Sequence, residues 1–159
     1  MIAFARRIFA AMAAWPTIVR WGLVLLHIGI IWWLSSRVLG GGSAPWWVGF
    51  TYNSGHVVLF GGLAWLVAAA LRVRPSPRGH HLLRAWLAVS VAALYGVVDE
   101  WHQSSVPGRS ASIFDIATDS ASAILLVQIA VGMPLPHRVS SIVAIAIATA
   151  ASVLAATFD

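Results

Sequence analysis

The sequence predicts an all-α membrane protein, a polytopic bundle of about five transmembrane helices. Of its 159 residues, 60% are hydrophobic and only 9% are charged, and the mean hydropathy is +0.85. Several apolar runs approach the roughly 20 residues that a helix needs to cross a bilayer. The chain contains no cysteine, which excludes disulfides, cysteine-ligated zinc and a thiol nucleophile.

The expected elements follow these runs along the chain. Residues 1–20 are expected to form an uncleaved interfacial helix, because their short apolar run leads at once into a full-length one. Residues 21–133 are expected to form a four-span membrane core, with spans at about 21–39, 55–73, 82–98 and 113–133. Residues 134–159 are expected to add a fifth span, at about 139–158.

The basic residues indicate how the chain lies in the membrane. All ten are arginines that flank apolar segments without forming a basic face, so nucleic acid is not an expected partner. Arg37 and Arg109 fall on one side of the predicted bundle. The other eight fall on the opposite side: Arg6, Arg7, Arg20, Arg72, Arg74, Arg78, Arg84 and Arg138. The positive-inside rule therefore predicts a cytoplasmic N-terminus.

Four of the five acidic residues lie within residues 95–119 of this apolar chain. The polar residues near helix ends are His56 at the start of the second span, Asp99, Glu100, His102 and Gln103 at the end of the third, and Asp115 and Asp119 at the start of the fourth. By the predicted topology these ends share the outer face, beside a loop whose Trp46, Trp47 and Tyr52 would anchor at the headgroups. The sequence thus predicts one outward-facing polar cavity.

The two carboxylates of the fourth span support different interpretations. Asp119 lies about two turns inside the span, where an ionised carboxylate costs roughly 2.5–3.5 kcal/mol at mid-bilayer, so a function is expected. Its structural alternative is an ion pair with Arg109 that locks two helices together. Asp115 completes the S-x-x-D capping pattern that begins at Ser112, yet it also shares a helix face with Asp119. The cap and the functional site remain open for Asp115.

Two further groups suggest ligand binding. Asp99 and His102 are three residues apart and could supply two ligands to a divalent cation, with further ligands from Asp115, Asp119 or His56. The alternative is a hydrogen-bonded helix end that faces water, and the identity of any metal is not predicted. Arg109 follows a Pro-Gly turn and suits bidentate contact with phosphate or carboxylate; its alternative is an internal salt bridge.

The remaining histidines have simpler interpretations. His56 could carry a proton or donate a hydrogen bond at the site, or it could be a satisfied polar group at a helix start. His27, deep in the first span, is expected to make an interhelical hydrogen bond.

Residues 95–119 resemble the signature of the VanZ-like membrane protein family. The matching residues are Asp99-Glu100, Gln103, Pro107-Gly108-Arg109, Asp115 and Asp119, with His56 matching a histidine of an earlier helix. The resemblance covers about residues 52–131. Tyr52 and Asn53 stand where the family often has Asp-Lys. The resemblance implies a multi-pass protein of the bacterial inner membrane, in a family named for low-level teicoplanin resistance, with some similar proteins associated with exopolysaccharide production.

Three hypotheses of function follow. In the first, the polar site binds a cell-envelope lipid or glycan intermediate and affects envelope assembly or glycopeptide sensitivity, with Arg109, Gln103, His102 and Asp115 as binding residues. In the second, the protein hydrolyses or transfers a lipid-linked headgroup through catalytic residues drawn from Asp99, Glu100, His56 and Asp119. The third is a small-ion or proton-coupled transporter. Membrane lipids or lipid-linked intermediates are the expected partners, and the oligomeric state is not predicted.

Overall fold

The computed structural model describes residues 1–37, 46–73 and 82–131, with the side chains of residues 46–53 excepted. These ranges contain no strand and form five helices: α1 (Ile2–Ala14), α2 (Thr17–Ser35), α3 (Trp46–Ala70), α4 (Leu82–Gln103) and α5 (Ile113–Val131). The all-α class is confirmed. The expected fifth span at 139–158 lies outside the described residues.

Three helices, α2, α4 and α5, are long and apolar enough to cross a membrane. Within α3 the apolar helix Ser54–Ala70 is slightly shorter. The start of α3 corrects the expected boundary of the second span, because Trp46, Trp47 and Tyr52 belong to the helix and not to a loop. Pro16 separates α1 from α2, as expected for a residue that is tolerated only at the beginning of a helix.

The core forms where α5 packs against α3 and α4, and where α2 covers α3. Phe60 and Leu63 of α3 are fully buried in it. Many of the other buried residues are alanines, which allow helix backbones to approach closely in membrane proteins. The fully buried alanines are Ala64, Ala68, Ala88, Ala92, Ala123 and Ala130.

One end of the bundle is closed by the capped terminus of α3. The Val73 N–H donates to the Ala68 carbonyl and the Arg72 N–H donates to that of Ala69, both at 3.0 Å, with Arg72 at a φ of 53°. This is a Schellman motif. The buried Arg20 of α2 adds hydrogen bonds to the carbonyls of Ala69 (3.0 Å) and Ala70 (2.8 Å). Arg20 therefore satisfies helix-end carbonyls, a role that the sequence did not indicate.

The short helix α1 packs near this same end. Phe9 contacts Trp65 of α3 edge to face at 5.2 Å, and Arg6 donates to the Ile129 carbonyl of α5 at 3.2 Å. Arg6 and Arg20 thus lie at one end of the bundle, whereas Arg109 precedes α5 at the other. This separation agrees with the two sides that the sequence assigns to them, and the orientation in a membrane stays a prediction.

Candidate functional site

At the opposite end of the bundle, the C-terminal ends of α2 and α4 meet the N-terminal parts of α3 and α5. Six residues from α3, α4 and α5 are buried together there: His56, Asp99, Glu100, Gln103, Asp115 and Asp119. We call these six residues the polar cluster. Arg109, at its edge, is only partly buried. Every member was predicted as a site residue, and the three helix ends that were expected to meet do meet.

His56 links α3 to the two carboxylates of α5. Its Nδ1 lies 3.0 Å from Oδ1 of Asp119, within hydrogen-bond distance, and its Nε2 lies 3.9 Å from Oδ2 of Asp115. The His56 ring also stacks on Phe60, with centroids 5.6 Å apart. Asp119 is therefore paired with His56 and not with Arg109, which was its expected structural partner.

Gly96 of α4 makes room for the Asp119 side chain. A Cβ atom at position 96 would lie 2.7 Å from Oδ2 of Asp119 and 3.3 Å from its Cβ. Any larger residue would have to displace this fully buried carboxylate. This role of Gly96 was not predicted from the sequence, where its only signal was a glycine in an apolar helix, three residues before Asp99.

A chain of hydrogen bonds runs from α2 to Arg109. The Ser35 hydroxyl donates to Oδ1 of Asp99 at 2.5 Å, and Nε2 of Gln103 donates to Oδ2 of Asp99 at 2.7 Å. The guanidinium of Arg109 donates to Oε1 of Gln103 from Nε at 3.2 Å and from Nη2 at 2.5 Å. Among the described residues no carboxylate lies within ion-pair distance of Arg109, so its expected internal salt bridge is not formed.

The turn before α5 places Arg109 beside Gln103. The Arg109 N–H donates to the Val106 carbonyl at 3.0 Å, and Gly108 has a φ of 83°. A proline followed by a glycine with positive φ is typical of a type II turn. The tight Pro-Gly turn predicted from the sequence is thus confirmed.

At the start of α5, Glu100 takes the capping role that the sequence pattern suggested for Asp115. Ser112 precedes the helix, and its hydroxyl accepts the Phe114 N–H at 3.3 Å, as expected for an N-cap. In a capping box the acidic residue at Asp115 would accept the Ser112 N–H. Glu100 of α4 accepts it instead, at 2.6 Å. Ser112 is therefore the cap, Glu100 replaces Asp115 in the box, and Asp115 lies near His56.

Within the part of the chain that the structure describes, some carboxylate oxygens of the polar cluster are buried without accepting a hydrogen bond. Oε1 of Glu100 and Oδ2 of Asp119 are buried without such a partner. Buried polar atoms are nearly always satisfied, so each exception needs an explanation. His56, Asp99 and Glu100 each offer a possible metal ligand, and these three atoms lie within 4.8 Å of one another.

His102 is not brought into the polar cluster. Its ring stacks on Trp32 of α2, with centroids 3.7 Å apart, and its Nε2 lies 2.9 Å from Oγ of Ser36. The expected ligand pair of Asp99 and His102 is therefore not assembled, and His56 is the histidine beside Asp99. Sequence reasoning missed the part played by α2, for which the adjacent serines at 35 and 36 were the only signal.

His27, predicted to make an interhelical hydrogen bond, does so. Its Nε2 lies 2.8 Å from the Leu59 carbonyl of α3. It lies eight residues from Ser35 along α2, or about 12 Å at 1.5 Å per helical residue. His27 therefore belongs to the helix interface and not to the polar end.

A comparison with protein-family models identifies one family for this chain. The model described as VanZ/LLP1 matches residues 8–135, which include every member of the polar cluster and Arg109. No curated protein and no solved structure gives a significant match.

Proposed function

The chain belongs to the VanZ/LLP1 family, and we propose that this membrane protein binds the phosphorylated headgroup of a lipid-linked cell-envelope intermediate at its polar cluster. One observation carries the proposal: Arg109 is held by the neutral amide of Gln103 and not by a carboxylate. No carboxylate of the described residues therefore cancels its charge in a direct ion pair. Bonds from two nitrogens also leave part of its five N–H donors for a ligand.

Phosphate is the ligand that this arrangement favours. The planar guanidinium forms paired hydrogen bonds with phosphate oxygens, and charge-assisted bonds of this kind are about twice as strong as neutral ones. Arg109 is partly exposed, whereas the four carboxylates are buried. A headgroup that approaches this end would meet Arg109 first, and its sugar hydroxyls could then donate to the carboxylate oxygens that lie deeper.

The proposed location is the outer face of the bacterial inner membrane, crossed several times by the chain. The arginines at the opposite end of the bundle support this orientation through the positive-inside rule. Lipid-linked precursors of envelope polymers display their phosphates and sugars at that face. By binding them, the protein would influence envelope assembly and, through it, sensitivity to glycopeptides such as teicoplanin.

The binding proposal is tested by titrating the full chain in nanodiscs with a polyprenyl phosphate and with the neutral polyprenol of the same length. We expect the phosphate to bind more tightly. Arg109→Ala should weaken its binding about 10- to 100-fold, because hydrogen bonds to charged groups contribute roughly 1.5–3 kcal/mol each.

Arg37→Ala is the matched control. It removes the same charge near the same end of the bundle, from an exposed arginine that lies over the Trp33 ring at 4.7 Å. We expect this variant to bind the polyprenyl phosphate like the wild type. Equal binding by the Arg109→Ala variant and the wild type would reject the proposal.

Hydrolysis or transfer of the headgroup is the second candidate function. The observation that favours it is the buried hydrogen bond between His56 and Asp119, because a histidine oriented by a carboxylate can exchange protons with a substrate. The same nanodiscs, loaded with a polyprenyl diphosphate, test it through the release of inorganic phosphate. Turnover that Asp119→Asn abolishes would establish an enzyme, whereas binding without turnover would restrict the protein to a binding role.

A further inference from the structure

We propose that the polar cluster holds a divalent cation on His56, Asp99 and Glu100, and that this ion joins the headgroup phosphate to the carboxylates. The bridging role rests on the proposed function, whereas the cation site itself depends only on the cluster. The site takes its three ligands from two helices, α3 and α4.

The spacing of the three ligands suits a metal ion. Their ligand atoms lie within 4.8 Å of one another. Around a tetrahedral ion at about 2.0–2.2 Å from each ligand, the ligand atoms lie roughly 3.3–3.6 Å from one another. The three ligand atoms would therefore need to approach one another by up to about 1.5 Å, a movement shared among three side chains that changes of side-chain torsion can supply.

Glu100 gives a second, independent indication of a ligand. Its side chain is only 3% exposed, and its Oε2 is fixed by the Ser112 N–H at 2.6 Å. Among the described residues its Oε1 has no hydrogen-bond partner, and Glu100 is one of the three residues of the candidate metal group. Leaving a buried carboxylate oxygen without a partner is destabilising. A cation coordinated by this oxygen would remove that cost.

The surrounding residues orient the other two ligands in the manner of a metal site. Asp119 accepts a hydrogen bond from Nδ1 of His56 when that nitrogen carries the proton, so Nε2 is left as the metal-binding atom. The 3.9 Å between Nε2 and Asp115 is too long for a hydrogen bond. Asp99 is held by donors from Ser35 and Gln103. Hydrogen bonds from the residues that surround a metal site usually fix the orientation of its ligands in this way.

The charge of the cluster also favours a cation. Four buried carboxylates face one imidazole and one guanidinium, so ionised carboxylates would outnumber the positive groups even with His56 protonated. Unbalanced charge is costly at membrane depth, and it would repel an anionic phosphate. A bound divalent ion would make the negative electrostatic potential of the cluster positive. It could also coordinate a phosphate oxygen at an open coordination position.

The donor set indicates the class of ion. One imidazole nitrogen and two carboxylates suit Mn²⁺ or Zn²⁺, whereas Ca²⁺ prefers sites that consist of oxygen ligands alone. Three protein ligands also leave coordination positions for a water or a phosphate oxygen.

The test is an electron paramagnetic resonance titration of the full chain with Mn²⁺, in detergent micelles without phospholipid, followed by competition with Zn²⁺. We expect one saturable Mn²⁺ site per chain. Glu100→Gln, which keeps the size of the side chain, should weaken binding at least tenfold. His102→Gln is the matched control and should bind as the wild type does, because His102 contacts Trp32 and Ser36 instead.

Melting temperatures accompany each titration, and Asp99→Asn replaces Glu100→Gln if the latter does not fold. Absence of saturable Mn²⁺ and Zn²⁺ binding by the folded wild type would overturn the cation site. In that event binding of polyprenyl phosphate that depends on Arg109 would still uphold the proposed function. Conversely, Mn²⁺ binding that does not change the affinity for polyprenyl phosphate would overturn the bridging role.

Discussion

Asp119 shows how much this molecule depends on single side chains. It is fully buried inside a helix long enough to cross a membrane, where a carboxylate is expensive. Two neighbours make its position possible: His56 shares a hydrogen bond with it, and Gly96 offers it space that no other residue would leave. A carboxylate that is accommodated at such cost is expected to have a function.

The substitution Gly96→Ala tests this packing. The added methyl group would lie 2.7 Å from Oδ2 of Asp119, and overpacking of this kind costs about 1–3 kcal/mol. We expect thermal unfolding in detergent, followed by circular dichroism, to show a lower melting temperature. Gly29→Ala is the matched control, because an added Cβ at this α2 position meets nothing within 4 Å. A Gly96→Ala variant as stable as Gly29→Ala would contradict the close contact with Asp119.

The helix ends of this protein are completed by residues of other helices. Glu100 of α4 accepts the N–H that precedes α5, and Arg20 of α2 donates to the carbonyls that end α3. In lipid no water is available to satisfy such groups. Each of these side chains therefore fixes the position of one helix against another while it completes a hydrogen-bond pattern.

Arg20→Met tests the importance of the arginine at the end of α3. The Ala70 carbonyl would lose the donor that Arg20 supplies at 2.8 Å, and an unsatisfied buried acceptor costs about 1–3 kcal/mol. We expect a lower melting temperature in the same assay. Arg7→Met, at an exposed position of α1, should cause little change. Equal melting temperatures for the two variants would show that the hydrogen bonds from Arg20 to the end of α3 do not stabilise the fold.

At the scale of the whole molecule, the two ends of the bundle have opposite chemistry. Most of the described arginines lie at one end, whereas the described acidic residues lie at the other, together with His56 and Arg109. The helices between them are closely packed through alanines, so the polar cluster is held on a rigid support. This polarity is what a protein needs in order to present one site to one face of a membrane.

Much of this arrangement could be predicted from the sequence, because apolar run length and clustered polar residues are local signals. The runs predicted the helices, and the spacing of Asp99, Glu100, Asp115 and Asp119 predicted which helix ends would meet. Contacts between distant residues could not be predicted in this way. Two such contacts depend on how the helices pack. Glu100 replaces Asp115 in the capping box, and the His102 ring stacks on Trp32.

The most direct test of the central claim is native mass spectrometry of the chain extracted from its own membrane in a mild detergent. We predict that the wild type and Arg37→Ala retain a lipid that carries a phosphorylated headgroup. Arg109→Ala should lose this lipid while it remains folded, with a lower melting temperature from the lost hydrogen bonds to Gln103. Equal retention by all three proteins, or no bound phosphorylated lipid in the wild type, would contradict the account and leave the polar cluster as a structural network.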